Sequence, residues 1–436
     1  MSTSKRTLKE VSISSLFGIY NHHIKLNTNG ITVIHGQNGV GKTSILTLIF
    51  AFFDGKWGDL TRYPYDELRF VFDDDSILYV KNTEHNSKNI SIEFTYCDQV
   101  APINTQDMDI ENYATRLERK KHFLDRITPD LWFDASTGNT LTASEVVRSY
   151  GSFDEGIAKK YPWLIELKNS ISVSFIKTQR LEARKFFTSP PWHPERRRKN
   201  NSVINLCAEK MKGIVATALS DYGKISQNLD QSFPNRLLEK NTPTFSKSDL
   251  KLKMNSIEEF REKLKEIKLL GEESSIIYDK IDIDELSDTH LKVLSTYVDD
   301  TQKKLDTLRS LSRKVEVMLN KINKKFNHKK LEIDPEFGIS VFDKDNKRLS
   351  LDVLSSGEQH EIVLVFDLLF NSPDGALILI DEPEISLHIS WQREFLDDLM
   401  DIVQLNNMEV IIATHSPNII DKHYDLMVEL SSKIEG

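Results

Sequence analysis

Apolar and polar positions at the start of the chain alternate in short runs. Residues 12–20 and 24–26 have the content of strands, residues 27–30 that of a turn, and Ile31–His35 forms a β-branched run stopped by Gly36. A buried strand feeding a glycine loop is expected there. Beyond the loop, residues 44–53 are nearly all apolar, with Leu46, Ile49, Phe50 and Phe53 at helical spacing, which predicts a helix buried in a core. Residues 68–72, 76–80 and 89–96 read as antiparallel strands, the first two joined by the acidic turn Asp73, Asp74, Asp75. Residues 100–169 are mixed and polar and offer no motif.

A further short strand is expected at 171–176, with the polar exit Lys177, Thr178, Gln179, Arg180. The character then changes through Pro190, Pro191 and Trp192 into long stretches with apolar residues every three or four positions, at 256–270 and 288–326. At about 1.5 Å per residue the second would reach roughly 60 Å, which makes it an arm. Residues 331–342 return to strand-like alternation, and residues 376–380 and 410–413 are apolar strands separated by a helix at 390–404. Strands alternating with helices imply a mainly parallel sheet. The chain therefore divides into an N-terminal lobe (1–180), a helical insertion (181–330) and a C-terminal lobe (331–436), the two lobes forming one α/β domain with an antiparallel β-layer.

Hydrophobic residues at 39% and charged residues at 28% describe a globular chain, and no apolar run approaches the roughly 20 residues that cross a bilayer. The N-terminus has no apolar segment of the secretory kind, so a cytoplasmic location is expected. Two distant cysteines, Cys97 and Cys207, exclude a disulfide framework and a cysteine-based zinc site. A net charge of -9 excludes a uniformly basic surface, leaving a local cluster, Arg196, Arg197, Arg198 and Lys199 near Trp192, which reads as a solvated loop or as a contact for DNA phosphates.

The chemistry concentrates at Gly36, Gln37, Asn38, Gly39, Val40, Gly41, Lys42 and Thr43, followed by Ser44. This is G-x-x-x-x-G-K-[ST] between a strand and a helix, the Walker A pattern. Glycines let the backbone wrap a phosphate chain, the helix amides face its charge, Lys42 reaches the β- and γ-phosphates, and Thr43 would ligate Mg²⁺. An ordinary tight turn explains the glycines but not the lysine and hydroxyl behind them. The apolar strand at 376–380 ends in Asp381 and Glu382; alone it could be a buried strand with a solvated end. Beside a phosphate loop it becomes a Walker B candidate, with Asp381 on Mg²⁺ and Glu382 as general base toward water.

Between these motifs lies Leu354, Ser355, Ser356, Gly357, Glu358, Gln359, which could be no more than a helix cap. In this order, the sequence resembles the ATP-binding-cassette ATPases, whose signature LSGGQ or LSSGE precedes Walker B. The resemblance implies a P-loop head whose Ser355, Ser356, Gly357 and Glu358 face the ATP of an opposite protomer. It also implies that Gln179 is the Q-loop glutamine sensing Mg²⁺ and the γ-phosphate, and that His415 in IIATHSP is the switch histidine. Phe17 and Tyr20 would pack near the adenine.

Thr43 and Asp381 are 338 residues apart, which fits the split-head branch resembling Rad50, SMC, RecF and the OLD-family ATPases. Within it, ITVIHGQNGVGKTSIL, DEPEISLHISWQ and LDQSFPNRLL are similar to small ATPases of anti-phage systems, most narrowly the Septu ATPase subunits, PtuA. Departures are equally visible. No D-loop aspartate is evident in EISLH, the insertion has no CxxC for a zinc hook, and only residues 416–436 follow His415, too few for a Toprim nuclease domain.

The expected function is an ATP-binding and hydrolysing switch with ATP and Mg²⁺ at the interface of a homodimer or higher homo-oligomer, regulating a partner HNH nuclease of the PtuB kind in anti-phage defence. The alternatives are a DNA-binding repair ATPase resembling RecF and a nucleotide-binding scaffold without turnover. Glu382 argues against the scaffold. No intrinsic nuclease is expected, because His22, His23 and His35 read as ordinary strand and turn histidines.

Overall fold

The computed structural model describes the chain except residues 1–4, 83–90, 105–109, 122, 129–130, 135–138, 151–158, 178–185, 188–197, 200–201, 239–243, 272–282 and 431–436. It forms two units, Met1–Ser202 with Asp367–Gly436, and Val203–Phe366. Among the described residues no helix is long and apolar enough to cross a membrane.

The first unit is built on two sheets. Five parallel strands run in the order Val173–Ile176, Leu377–Asp381, Glu409–Thr414, Ile31–His35, Met427–Glu429. The three central strands are covered on both faces, which is why their sequences are continuous β-branched and leucine runs rather than alternating ones. An antiparallel sheet of six strands follows the order Tyr20–Lys25, Leu8–Leu16, Glu67–Phe72, Ile77–Asn82, Ser91–Tyr96, Gln99–Asn104. The helix Lys42–Phe53 packs against both sheets in one continuous core, its Phe52 stacking on Phe70 of the antiparallel sheet with ring centroids 5.3 Å apart.

The antiparallel layer is larger than the sequence pattern indicated. The expected strand at 12–20 is instead two, Leu8–Leu16 and Tyr20–Lys25, because the chain reverses where Ser15, Phe17 and Gly18 all take positive φ. Residues 100–169 supply the sixth strand, the helices Ile110–Lys120, Ala143–Tyr150 and Pro162–Asn169, and a three-stranded sheet whose Trp132 is fully buried and donates to Glu118.

The second unit carries three long helices, Val203–Leu238, Lys247–Glu266 and Asp288–Lys325, the last about 57 Å long at 1.5 Å per residue. It buries Leu291, Val298, Leu305, Leu308, Val315, Met318 and Ile322 along one face. The first helix is absent from the periodicity reading because Gly213, Gly223 and Pro234 interrupt its pattern. Its end, within the LDQSFPNRLL segment, is held to the long helix by Arg236 on Asp300 and by Lys304 on Asp230.

The two units group the chain by contacts, apart from the expected lobes 1–180 and 331–436 and insertion 181–330. Residues 331–366 group with the helices rather than with the C-terminal lobe, and the alternation at 331–342 is a hairpin, Lys329–Asp334 with Gly338–Asp343. Gly338 explains the grouping. A Cβ there would lie 1.9 Å from the Ala208 carbonyl, so the hairpin rests directly on the backbone of the first long helix.

Candidate functional site

Parallel register decides which loops meet. Asp381 pairs with Ala413 and Thr414 with His35, so the chain leaves three strands at the same carboxyl edge, through the glycine loop, through Glu382 and through His415. Loops at that edge of an open α/β sheet are where ligands bind.

Glycine is required in the loop for stated reasons. Gly39 and Gly41 take φ of 91° and 96°, and a Cβ on Gly41 would come 2.4 Å from Leu16 Cδ2. The helix that follows starts with no acidic residue and no side-chain cap on its first amides, so its N-terminal charge is left for an anion. Behind the loop, His22 is buried with Nε2 2.7 Å from the Val40 carbonyl. Burial lowers the His22 pKa despite that bond, so the ring is neutral and donates from Nε2.

Lys42 is buried and its Nζ donates to the carbonyls of Gly36 and Gln37, at 2.7 and 3.0 Å. Burial lowers its pKa, while Glu382, Glu384 and Asp381 pull the other way. Thr43 Oγ1 donates to both oxygens of Asp381, at 3.0 and 3.1 Å. Burial raises the Asp381 carboxyl; Thr43 and Lys42 oppose this and Glu382 and Glu384 add to it. A hydroxyl and a carboxylate thus meet where three acids outnumber one lysine, a donor set and a charge balance that fit a hard divalent cation such as Mg²⁺.

Glu382 sits in the left-handed region, φ 44° and ψ 59°, a conformation costing about 1–3 kcal/mol in a non-glycine residue. Its amide is tied to the Ala413 carbonyl at 2.8 Å, and Pro383 starts the next turn, so the strain is imposed from both sides. His415 Nδ1 lies 3.5 Å from Glu382 and 3.1 Å from Glu384. Glu384 is the residue that sequence reasoning passed over. It is buried, and only its place in DEPE could have drawn attention to it.

In the second unit, Ser355 and Glu358 form a capping box: Glu358 Oε2 accepts from the Ser355 amide at 2.8 Å and hydroxyl at 2.9 Å, while Ser355 Oγ accepts from the Glu358 amide at 3.3 Å. Burial raises the Glu358 carboxyl, but Lys329 and Ser355 outweigh it and hold it below its usual value. Ser355 and Glu358 are thereby engaged in starting the helix Ser356–Phe366, whose first two residues are Ser356 and Gly357.

The remaining candidates scatter. Phe17 lies beside Gly41, whereas Tyr20 stacks on His22 with centroids 5.6 Å apart. Asn38 is exposed and Ser44 is buried in the first helical turn. His23 lies 3.0 Å from Ser12 Oγ. Gln179, Trp192, Arg196 and Arg197 lie outside the described residues; Arg198–Lys199 pair as a short strand with Phe186–Phe187. The segment without a D-loop aspartate is a turn, Pro383–Ser386, after which His388 caps the helix Ile389–Asn406.

With Lys42 seated in its own glycine loop and Thr43 on Asp381, the carboxyl edge of the parallel sheet is that of a nucleotide-binding α/β ATPase. Residues 8–420 match the family described as the AAA ATPase domain, and the chain belongs to that family. Shorter stretches resemble curated proteins. One of 80 residues is 31% identical to a probable iron chelatin transport ATP-binding protein of Helicobacter pylori, covering 18% of this chain and 30% of that protein. One of 90 residues is 33% identical to the Retron Ec83 probable ATPase of Escherichia coli, covering 18% and 16%. One of 96 residues is 31% identical to protein ea59 of phage lambda, covering 22% and 18%. The matches therefore span less than a third of each relative's length. Among solved structures, an SMC head domain from Pyrococcus furiosus is similar over 98% of this chain and 94% of that chain, at 13% identity and a TM-score of 0.39.

Proposed function

We propose that the chain binds and hydrolyses ATP as a nucleotide-dependent switch between copies of itself, and that this switch regulates a separate effector nuclease in anti-phage defence. The observation that carries the catalytic part is the bond from Thr43 to Asp381 beside the strained Glu382. Lys42 exchanges its loop carbonyls for the β- and γ-phosphates. Thr43 and Asp381 would hold Mg²⁺, which when bound neutralises phosphate charge. Glu382 accepts the proton of the attacking water, and His415 contacts the γ-phosphate. Ser356 and Gly357 of a second copy complete the site, so ATP acts as substrate and as interface. Partial similarity to a retron's probable ATPase is compatible with the defence role.

The test is ATP turnover and assembly mass of the wild type and of Glu382→Gln, with and without ATP. Glu382→Gln is expected to bind ATP without turning it over and to gain mass on ATP addition. Equal hydrolysis by both proteins removes Glu382 from the mechanism. A mass indifferent to nucleotide removes the switch.

A further inference from the structure

We propose that Glu384 is the positioning residue for His415, holding the loop that carries it and setting which ring nitrogen bears the proton. The proposal rests on the reading of His415 as the γ-phosphate contact.

Glu384 lies in the turn after Pro383 with its side chain only 6% exposed. One of its oxygens, Oε1, accepts from Thr414 Oγ1 at 2.7 Å, from the His415 amide at 3.0 Å and from the Ser416 amide at 3.2 Å. The same oxygen is 3.1 Å from His415 Nδ1. Two successive amides and a hydroxyl thus donate to a single carboxylate oxygen, with the imidazole close beside it. Among the described residues, its other oxygen, Oε2, has no hydrogen-bond partner and is buried.

A loop brace alone does not require this arrangement. Burying a carboxylate is strongly unfavourable unless its charge is used, and half of this one is unsatisfied. A neutral strut already exists: Gln392 donates from Nε2 to the carbonyls of Glu384 and Leu387, at 3.1 and 3.2 Å, and accepts from Ser416 Oγ at 3.2 Å. What Glu384 adds is negative charge at the Nδ1 edge of the imidazole. A carboxylate there favours hydrogen on Nδ1 and frees Nε2 for the substrate side, as the buried aspartate does for the histidine of hydrolase triads. Of the two acids beside the ring, Glu384 is the nearer to Nδ1, at 3.1 Å against 3.5 Å for Glu382.

The test uses the full chain labelled with ¹⁵N, with the His415 imidazole signals assigned by their loss in His415→Gln. In the wild type they should show hydrogen on Nδ1. In Glu384→Gln, which keeps an oxygen for the loop amides and so favours folding, the signals should move toward the form with hydrogen only on Nε2. Turnover should fall about ten- to hundred-fold with KM for ATP little changed. Glu384→Asp should restore part of it, and Gln392→Ala should leave the ring signals as in the wild type. His415 signals that do not change in Glu384→Gln overturn the proposal, whatever happens to turnover. Changed signals with normal turnover uphold the positioning and remove His415 from catalysis, which separates failure of this inference from failure of the reading beneath it.

Discussion

The Thr43 hydroxyl donates to both carboxylate oxygens of Asp381 across 338 residues of sequence. The bond satisfies a buried acid whose carboxyl is nevertheless held above its usual pKa by burial and by two neighbouring glutamates. The acid is retained at a cost to the fold, as would follow from the cation-binding role proposed for it.

Asp381→Asn should therefore separate stability from activity. A carboxyl raised in the folded state binds its proton more tightly there, so wild-type stability falls as pH rises from the unfolded pKa through the folded one. Asparagine cannot lose a proton, and in EDTA at neutral pH the variant should melt above the wild type. Its Mg²⁺-dependent turnover should drop at least ten- to about hundred-fold. Melting curves at pH 4 and pH 7 check the sign, since the gain should shrink in acid.

Gly41→Ala should cost about 2–4 kcal/mol, combining the left-handed backbone with the clash on Leu16. Urea titration gives the stability loss. ATP binding should fall with it, whereas Gly213→Ala, in a helix with open space around its Cβ position, should bind normally.

His22 makes the loop sensitive to acid. Its pKa is lowered in the folded chain, so the unfolded state binds more protons between that value and the ordinary 6.5, and stability is lost as pH falls through this window. His22→Gln keeps a donor for the Val40 carbonyl and should flatten the pH dependence of melting below about pH 6.5. An unchanged slope would show that other groups govern it.

In the second unit, Lys325 and Glu361 form an ion pair with both side chains 3% exposed. Glu361→Leu alone should destabilise by about 3–5 kcal/mol, while Lys325→Met with Glu361→Leu should recover most or all of that. A double variant as unstable as the single one would mean that Lys325 depends on its other contacts more than on Glu361.

Much of the site was legible because its chemistry is local. The glycine loop needs its residues consecutive, and Asp381 and Glu382 close a run of buried apolar residues that reads as a strand in any context. The antiparallel layer was legible only in part, since Phe17 and Gly18 turn the chain inside what reads as one strand. The hairpin at 329–343 carries the alternation of a C-terminal lobe, yet Gly338 places it on the first long helix, a contact across more than a hundred residues.

By itself the sequence determined the strand-loop-helix around the glycine loop, the two acids that close the apolar run at 376–380 and the helical character of the insertion, because each depends on neighbours a few positions away. Only the tertiary structure decided that Thr43 meets Asp381 and that Glu384 meets His415. Those pairs exist because parallel strands put their carboxyl ends at one edge, and strand order across a sheet is a property of the whole chain.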